Sequence, residues 1–278
     1  MTQQASCVIG PLDSISKSDF PMTTIRTNPV KETLAAGGTI FSSSVRLTDP
    51  GLCEILGYAG FDFVLLDGEH GAMDPSSIDR LVQGCYAGGT VPVVRVLKNN
   101  DAEAVMHALD LGVQGVLIPH CRSVDDAQAL RTAAMYAPEG NRGFGPARGM
   151  KWGRVSSEDY FRDINETVLL LALVEDIEGV ENIEQIAAAG LLDVLWVGTG
   201  DLAMAYGYPG ERDHPEVVAA AERILAACLA NGVAAGYPAR SPEEAQWAVE
   251  QGYRAIGYAG AEAYVMKQSR SFLDAVGR

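Results

Sequence analysis

Three ionisable side chains and a glycine close the apolar run FDFVLLDGEH, Phe61 to His70. Asp67, three residues before His70, is spaced to orient an imidazole and fix its tautomer, leaving His70 a general base at neutral pH, directly or through water. A turn-stabilising aspartate beside an incidental histidine is the competing reading. The run VPVVRV brings Arg95, a planar cationic fork suited to a carboxylate or to a developing enolate oxygen. Its structural alternative is an ion pair with Asp67 or Glu69. Two further runs, LALVE and VGTGDLA, end on Glu175 and Asp201. Carboxylates on neighbouring strands suit a hard divalent cation such as Mg²⁺ or Mn²⁺. Singly, each acid reads as a helix N-cap or loop acid; jointly, they read as a metal site.

Other chemistries find less support. No serine or cysteine lies in a nucleophile-elbow sequence. A Schiff-base mechanism lacks its lysine, because Lys98 alone among five lysines falls near an expected strand end. His120 follows an apolar run and reads either as part of the same polar ring or as a donor to a backbone carbonyl. His107 sits within a helical pattern, and His214, before Pro215, reads as a turn or cap residue.

The elements that must position these residues follow from short apolar or β-branched runs bounded by Gly, Pro and Asp. Eight are expected, over 38–44, 61–67, 91–96, 115–119, 168–175, 193–199, 232–238 and 253–259. Between them lie segments of helical spacing that open on Asp or Ser and close on Gly. Strict alternation over this length predicts a closed (β/α)₈ (TIM) barrel as one domain over 31–278, preceded by a poorly ordered extension over 1–30 in which Met22 is an alternative start. Barrel active sites lie at the carboxyl ends of the strands, so the polar groups named above are expected to ring one mouth. One connection, 137–167, is unusually long and carries Arg142, Arg148, Lys151, Arg154 and Arg162. It reads as a solvated basic surface segment or as a substrate gate.

A net charge of −15 with no basic block argues against a nucleic-acid partner and requires an anionic substrate to find its own local cation. The five cysteines are scattered, odd in number and without a CxxC pair, as expected of buried or inert thiols in a cytoplasmic chain. No apolar run reaches the length of a membrane span, and the first residues lack the pattern of a secretory signal.

The segments FDFVLLDGEH, VPVVRV, LGVQGVLIPH, YAPEGNRGFG, ENIEQIAAAGLLDVLWVGTGDLA and EQGYRAIGYAG resemble the HpcH/HpaI aldolase family in order and spacing, from about Asn28 onward. These are metal-dependent 2-oxo-acid aldolases of the 4-hydroxy-2-oxoheptanedioate aldolase type, with macrophomate synthase as a relative. The resemblance implies a barrel of the phosphoenolpyruvate/pyruvate-domain type. It implies that Glu175 and Asp201 bind Mg²⁺, Mn²⁺ or Co²⁺, which chelates pyruvate. It further implies that His70, paired with Asp67, acts as base with a metal-associated water, that Arg95 stabilises the enolate oxygen, and that Gly200 offers its N–H to the substrate carboxylate. The implied reaction is cleavage of a 4-hydroxy-2-oxo acid to pyruvate, or a close 2-oxo acid, and an aldehyde. An oxaloacetate-type decarboxylase resembling macrophomate synthase and a noncatalytic metabolite-binding barrel are the alternatives. Its partners would be the 2-oxo acid, the aldehyde and further copies of the chain, as a hexamer or trimer exchanging the amphipathic last segment AEAYVMKQSRSFLDAVGR. Three positions depart from the family pattern: Leu173 replaces a frequent glutamine, GTGDLA with Thr199 and Ala203 replaces GPxDLS, and Lys98 stands where some members have tryptophan.

Overall fold

Alternation along the strands sorts the apolar side chains into two cores. In the fifth strand, Leu169, Leu171 and Leu173 face a cluster with Phe63, Val93, Leu117 and Trp196, while Leu170, Ala172 and Val174 join a larger cluster shared with the helices. Such two-sided burial explains why the strands read as unbroken apolar runs rather than as alternating ones. The computed structural model describes residues 25–145 and 148–278. Its strands are β1 (Ile40–Val45), β2 (Phe63–Asp67), β3 (Val91–Arg95), β4 (Gly115–Ile118), β5 (Leu169–Val174), β6 (Val194–Val197), β7 (Ala234–Ala239) and β8 (Ala255–Gly260). They pair in parallel and in sequence order, and β1 closes on β8, so the (β/α)₈ TIM barrel is present.

The helices end as their sequences dictate. Asp74 and Ser123 form capping boxes at the starts of α3 (Pro75–Gly88) and α5 (Val124–Ala134), and Gly89 closes α3 in the left-handed conformation. His214 caps its helix, Pro215–Asn231, accepting from the Glu216 N–H. Among the described residues, no helix is long and apolar enough to cross a membrane. The four described cysteines, Cys53, Cys85, Cys121 and Cys228, are free and buried. Cys7 lies outside the described residues.

Three local expectations change. The sixth strand stops at Val197, and a helix, Thr199–Ala205, starts where strand was expected, which puts Asp201 in its first turn. Packing against the barrel starts ahead of residue 31: helix α1 (Pro29–Ala35) buries Val30 in the interior cluster, and the Asn28 side chain donates to the carbonyls of Gln114 and Thr167 at 2.9 and 2.8 Å. Residues 1–24 of the expected extension, with Met22, lie outside the described residues. Finally, the long connection links α5 to β5 and therefore lies at the amino end of the barrel, opposite the mouth. Topology removes it as a gate over its own active site. Nor is it merely solvated, since Arg142 is buried, pairs with Asp110 at 2.5 Å and stacks on Tyr136, while Tyr136, Val155 and Tyr160 form a small satellite core.

Candidate active site

The residues that end β2, β3, β5 and β6 on the inward face meet at the carboxyl mouth. They line a cavity of about 490 Å³ that includes Asp67, His70, Arg95, Glu175, Gly200 and Asp201. Inward parity carries Phe63 and Leu65 on to Asp67, Val91 and Val93 on to Arg95, and Leu171 and Leu173 on to Glu175. The apolar layer thus ends in a charged one.

The charged layer is organised by Arg95. Its Nε and Nη2 donate to the two Asp67 carboxylate oxygens at 2.9 and 2.7 Å, and its Nη1 meets Glu69 at 2.9 Å. Burial works against a charge on Asp67, yet the Arg95 fork and the His70 backbone N–H hold that carboxyl below its ordinary range. The expected pairing of Asp67 with the His70 imidazole is not formed. Asp67 accepts the His70 backbone N–H at 3.1 Å, and the half-exposed ring lies 3.9 Å from Glu69 instead. The physical reason is competition: a bidentate guanidinium occupies the carboxylate that the imidazole would need. Glu69, the residue of the motif without an assigned role, is the one that joins Arg95 to both His70 and His120.

Glu175 sits in a different environment. Only 3% exposed, it accepts the His120 backbone N–H at 2.9 Å and has no lysine or arginine ion pair among the described residues. Burial, reinforced by the carboxylates of Asp201 and Glu69, pushes its carboxyl up to about 7. Its place depends on a glycine, because a Cβ on Gly198 would lie 2.4 Å from the Glu175 Cβ and 2.9 Å from its Oε2. His120 is a positioning residue here. Held at φ +52°, it presents its N–H to Glu175 while its Nδ1 lies 3.0 Å from Asp176, which Arg122 clamps from the other side.

A divalent cation fits this pair. Glu175 is a buried acid facing other acids, and Asp201, exposed at the same mouth, has no partner among the described residues. No group of three or more metal-ligating side chains occurs among the described residues, so the chain itself offers two carboxylates. Waters and substrate oxygens complete such a set for Mg²⁺-like ions.

Several lining residues went unanticipated. Arg46 follows β1 and Arg240 lies just past β7, so the rule that finds Arg95 at the end of β3 would have found both. Arg240 is tied to Asp213 and Glu244. Arg212 comes from a loop with no strand-end signal; it lies beside Gly200, and its side chain makes no hydrogen bond or salt bridge among the described residues. Leu173, the departure from the family glutamine, lies in the cavity floor in register with Trp196.

Comparison with known proteins identifies the family. The family model for HpcH/HpaI aldolase/citrate lyase matches residues 43–263. The 2-keto-3-deoxy-L-rhamnonate aldolase of Shigella boydii serotype 4 is 32% identical over 227 residues, 81% of this chain and 84% of its own. Among solved structures, a HpcH/HpaI aldolase/citrate lyase family protein from Burkholderia cenocepacia J2315 is 30% identical, with a TM-score of 0.85 over 91% of this chain and 100% of its own. Macrophomate synthase is 25% identical, with a TM-score of 0.77 over 95% of this chain and 99% of its own. The chain belongs to the HpcH/HpaI aldolase/citrate lyase family.

Proposed function

We propose that this chain is a divalent-metal-dependent aldolase that cleaves a 4-hydroxy-2-oxo acid to pyruvate, or a close 2-oxo acid, and an aldehyde. The observation that carries this reading is the Glu175 and Asp201 pair, two acids with no lysine or arginine ion pair among the described residues, in one cavity with Arg95. Glu175 and Asp201 would hold the cation, which when bound supplies Lewis-acid polarisation of the substrate's keto group. Arg95 contributes directly. Three of its five N–H donors are engaged by Asp67 and Glu69, which leaves two for the oxygen that gains charge as an enolate forms. The carboxylates that bind it also fix its orientation, so little reorganisation is needed during reaction.

His70 takes the proton of the C4 hydroxyl, directly or through one water. As the C4 oxygen becomes the aldehyde carbonyl, the C3–C4 bond breaks and its electron pair passes into the enolate. Protonation at C3 then yields the 2-oxo acid. His70 suits this exchange because its ring is half-exposed at the rim and is not locked to Asp67. Gly200, in the first turn of the helix that carries Asp201, would offer its N–H to the substrate carboxylate. Pyruvate release from a 4-hydroxy-2-oxo acid, measured with Mg²⁺ or Mn²⁺ and after chelation, tests the proposal. Release should need the metal and should vanish in Glu175→Ala and Asp201→Ala; unchanged release in either variant overturns it.

The likeness to macrophomate synthase favours a second reading, decarboxylation of a 2-oxo acid such as oxaloacetate through the same enolate. Carbon dioxide without aldehyde would identify it. Assembly with further copies of the chain belongs to the same proposal. The last helix, Ala261–Ala275, buries only Ala261 and exposes Val265, Met266 and Phe272, while Ile55 and Tyr58 are exposed on the second helix, Pro50–Tyr58. Light scattering on the intact protein should give a mass several times that of one chain.

A further inference from the structure

Opposite the acids, the cavity has a wall with a different character. β1 alternates Ile40, Ser42 and Ser44 on one face, and Ile40 belongs to the interior cluster, so both serines face inward and both line the cavity. Ser43, on the other face, donates to the Ala259 carbonyl at 3.0 Å. The hydroxyls of Ser42 and Ser44 have no partner among the described residues. Ser42 is only 3% exposed and stands in a floor otherwise built of Leu65, Leu117, Leu173 and Trp196. Its Oγ is not one of the buried polar atoms left without a partner, so it opens on the cavity, where water or a ligand can satisfy it.

Trp196 extends beneath this wall because β7 and β8 give it room. A Cβ on Gly236 would lie 2.5 Å from the indole, and one on Gly257 2.7 Å. The indole and the leucines block a ligand from descending further into the barrel. In a closed eight-stranded barrel numbered in order, β1 lies across from β5. An oxo acid anchored at Glu175 and Asp201 and extended across the apolar floor would bring the part that departs as the aldehyde to Ser42 and Ser44.

We infer that Ser42 and Ser44 recognise hydroxyl groups on the aldehyde half of the substrate, so that the enzyme prefers a hydroxylated aldehyde to an alkyl aldehyde of the same length. The inference rests on the proposed aldolase reading and adds a substrate class to it. An alkyl chain would leave the Ser42 hydroxyl buried without a partner, and sites built to hydrogen-bond a substrate hydroxyl discriminate strongly against analogues that lack it.

The test runs the reaction in the joining direction, with pyruvate, Mn²⁺ and either glyceraldehyde or propanal, which share a three-carbon skeleton. The readout is the ratio of the two kcat/KM values in the intact protein and in Ser42→Ala, Ser44→Ala and the double variant. Exchange of the pyruvate methyl protons in deuterated water is followed in parallel for the unaltered enzyme. The ratio should favour glyceraldehyde and fall roughly fivefold for each serine removed, the scale of one neutral hydrogen bond, with a larger fall in the double variant. If exchange occurs but the ratio is near unity, or is unmoved in the double variant, this inference alone is overturned and water occupies the serine wall. If the unaltered enzyme shows no exchange, the aldolase reading fails and takes the inference with it.

Discussion

At the amino end of the barrel, the Asn28 amide N–H donates to two carbonyls and its Oδ1 accepts the Lys31 N–H, while the Lys31 ammonium donates to the Val168 carbonyl and to Asp193, which in turn accepts the Leu170 N–H. At the carboxyl end, Glu175 lies buried with no lysine or arginine ion pair among the described residues, Asp201 and Arg212 make no side-chain hydrogen bond or salt bridge there, and the Ser42 hydroxyl, also without a partner among them, opens on the cavity. The Asn28, Lys31 and Asp193 cluster is thus paired within the fold, whereas Glu175 and Asp201 at the mouth have no lysine or arginine ion pair among the described residues. Paired groups hold the architecture together, and acids left open at a mouth mark where a ligand can supply a partner. The Asp67, Arg95 and Glu69 cluster stands between these cases, being fully paired yet still able to donate.

The comparison breaks most visibly at the acids. Asp201→Ala should lower metal-dependent turnover by roughly a thousandfold or more, because a Lewis-acid site is worth several kcal/mol of barrier. The melting temperature of the metal-free protein should change little, since Asp201 makes no side-chain hydrogen bond or ion pair among the described residues and its place in the first turn of a helix is offset by repulsion from Glu175. Steady-state kinetics and thermal scans on one preparation check both halves. Next in size is Arg95→Met, which takes the bidentate partner from Asp67 at 2% exposure and leaves it only Arg46 at 3.5 Å; it should cost about 3–5 kcal/mol in denaturant unfolding, along with the loss of activity. Asn28→Ala, at the opposite end, should cost about 1–3 kcal/mol by the same measurement while kcat of the folded enzyme stays unchanged. A fall in kcat there would mean that the two ends are coupled.

The smallest expected effect is a slope with pH. Because Glu175 is raised from 4.5 to about 7 in the folded chain, the metal-free native state binds its proton more tightly than the unfolded state does. Its contribution to stability is fully present below pH 4.5 and is lost as pH rises through about 7. Metal affinity should climb over the same window, because the cation needs the ionised form. Chemical denaturation of metal-free protein across this range should show the decline, and Glu175→Gln should remove that part of it.

Much of this was legible before any coordinates. The eight strands stand where apolar runs bounded by turn residues put them, because strands covered on both faces leave an unambiguous mark. The rule that catalytic groups sit at strand ends gathered Asp67, Arg95, Glu175 and Asp201 into one cavity. What the sequence hid depends on tertiary distance. Nothing local says that the Arg95 fork reaches Asp67 before the His70 ring does, or that Arg212 folds back beside Gly200 from a loop. Ser42 and Ser44 looked like ordinary strand residues until closure of the barrel turned them toward the acids. The connection before β5 could be read as a solvated segment or as a gate because length and charge do not reveal at which end of a barrel a loop lies. Strand order does.

The central claim is that Glu175 and Asp201 together make a cation site that activates a 2-oxo acid. Its most direct test is deuterium uptake into the pyruvate methyl group, followed by proton NMR with and without Mn²⁺ chelation, in the unaltered protein and in the Glu175→Gln, Asp201→Asn double variant. The account predicts metal-dependent exchange in the former and none above background in the latter. Exchange at the unaltered rate in the double variant, or its persistence after chelation, would contradict it.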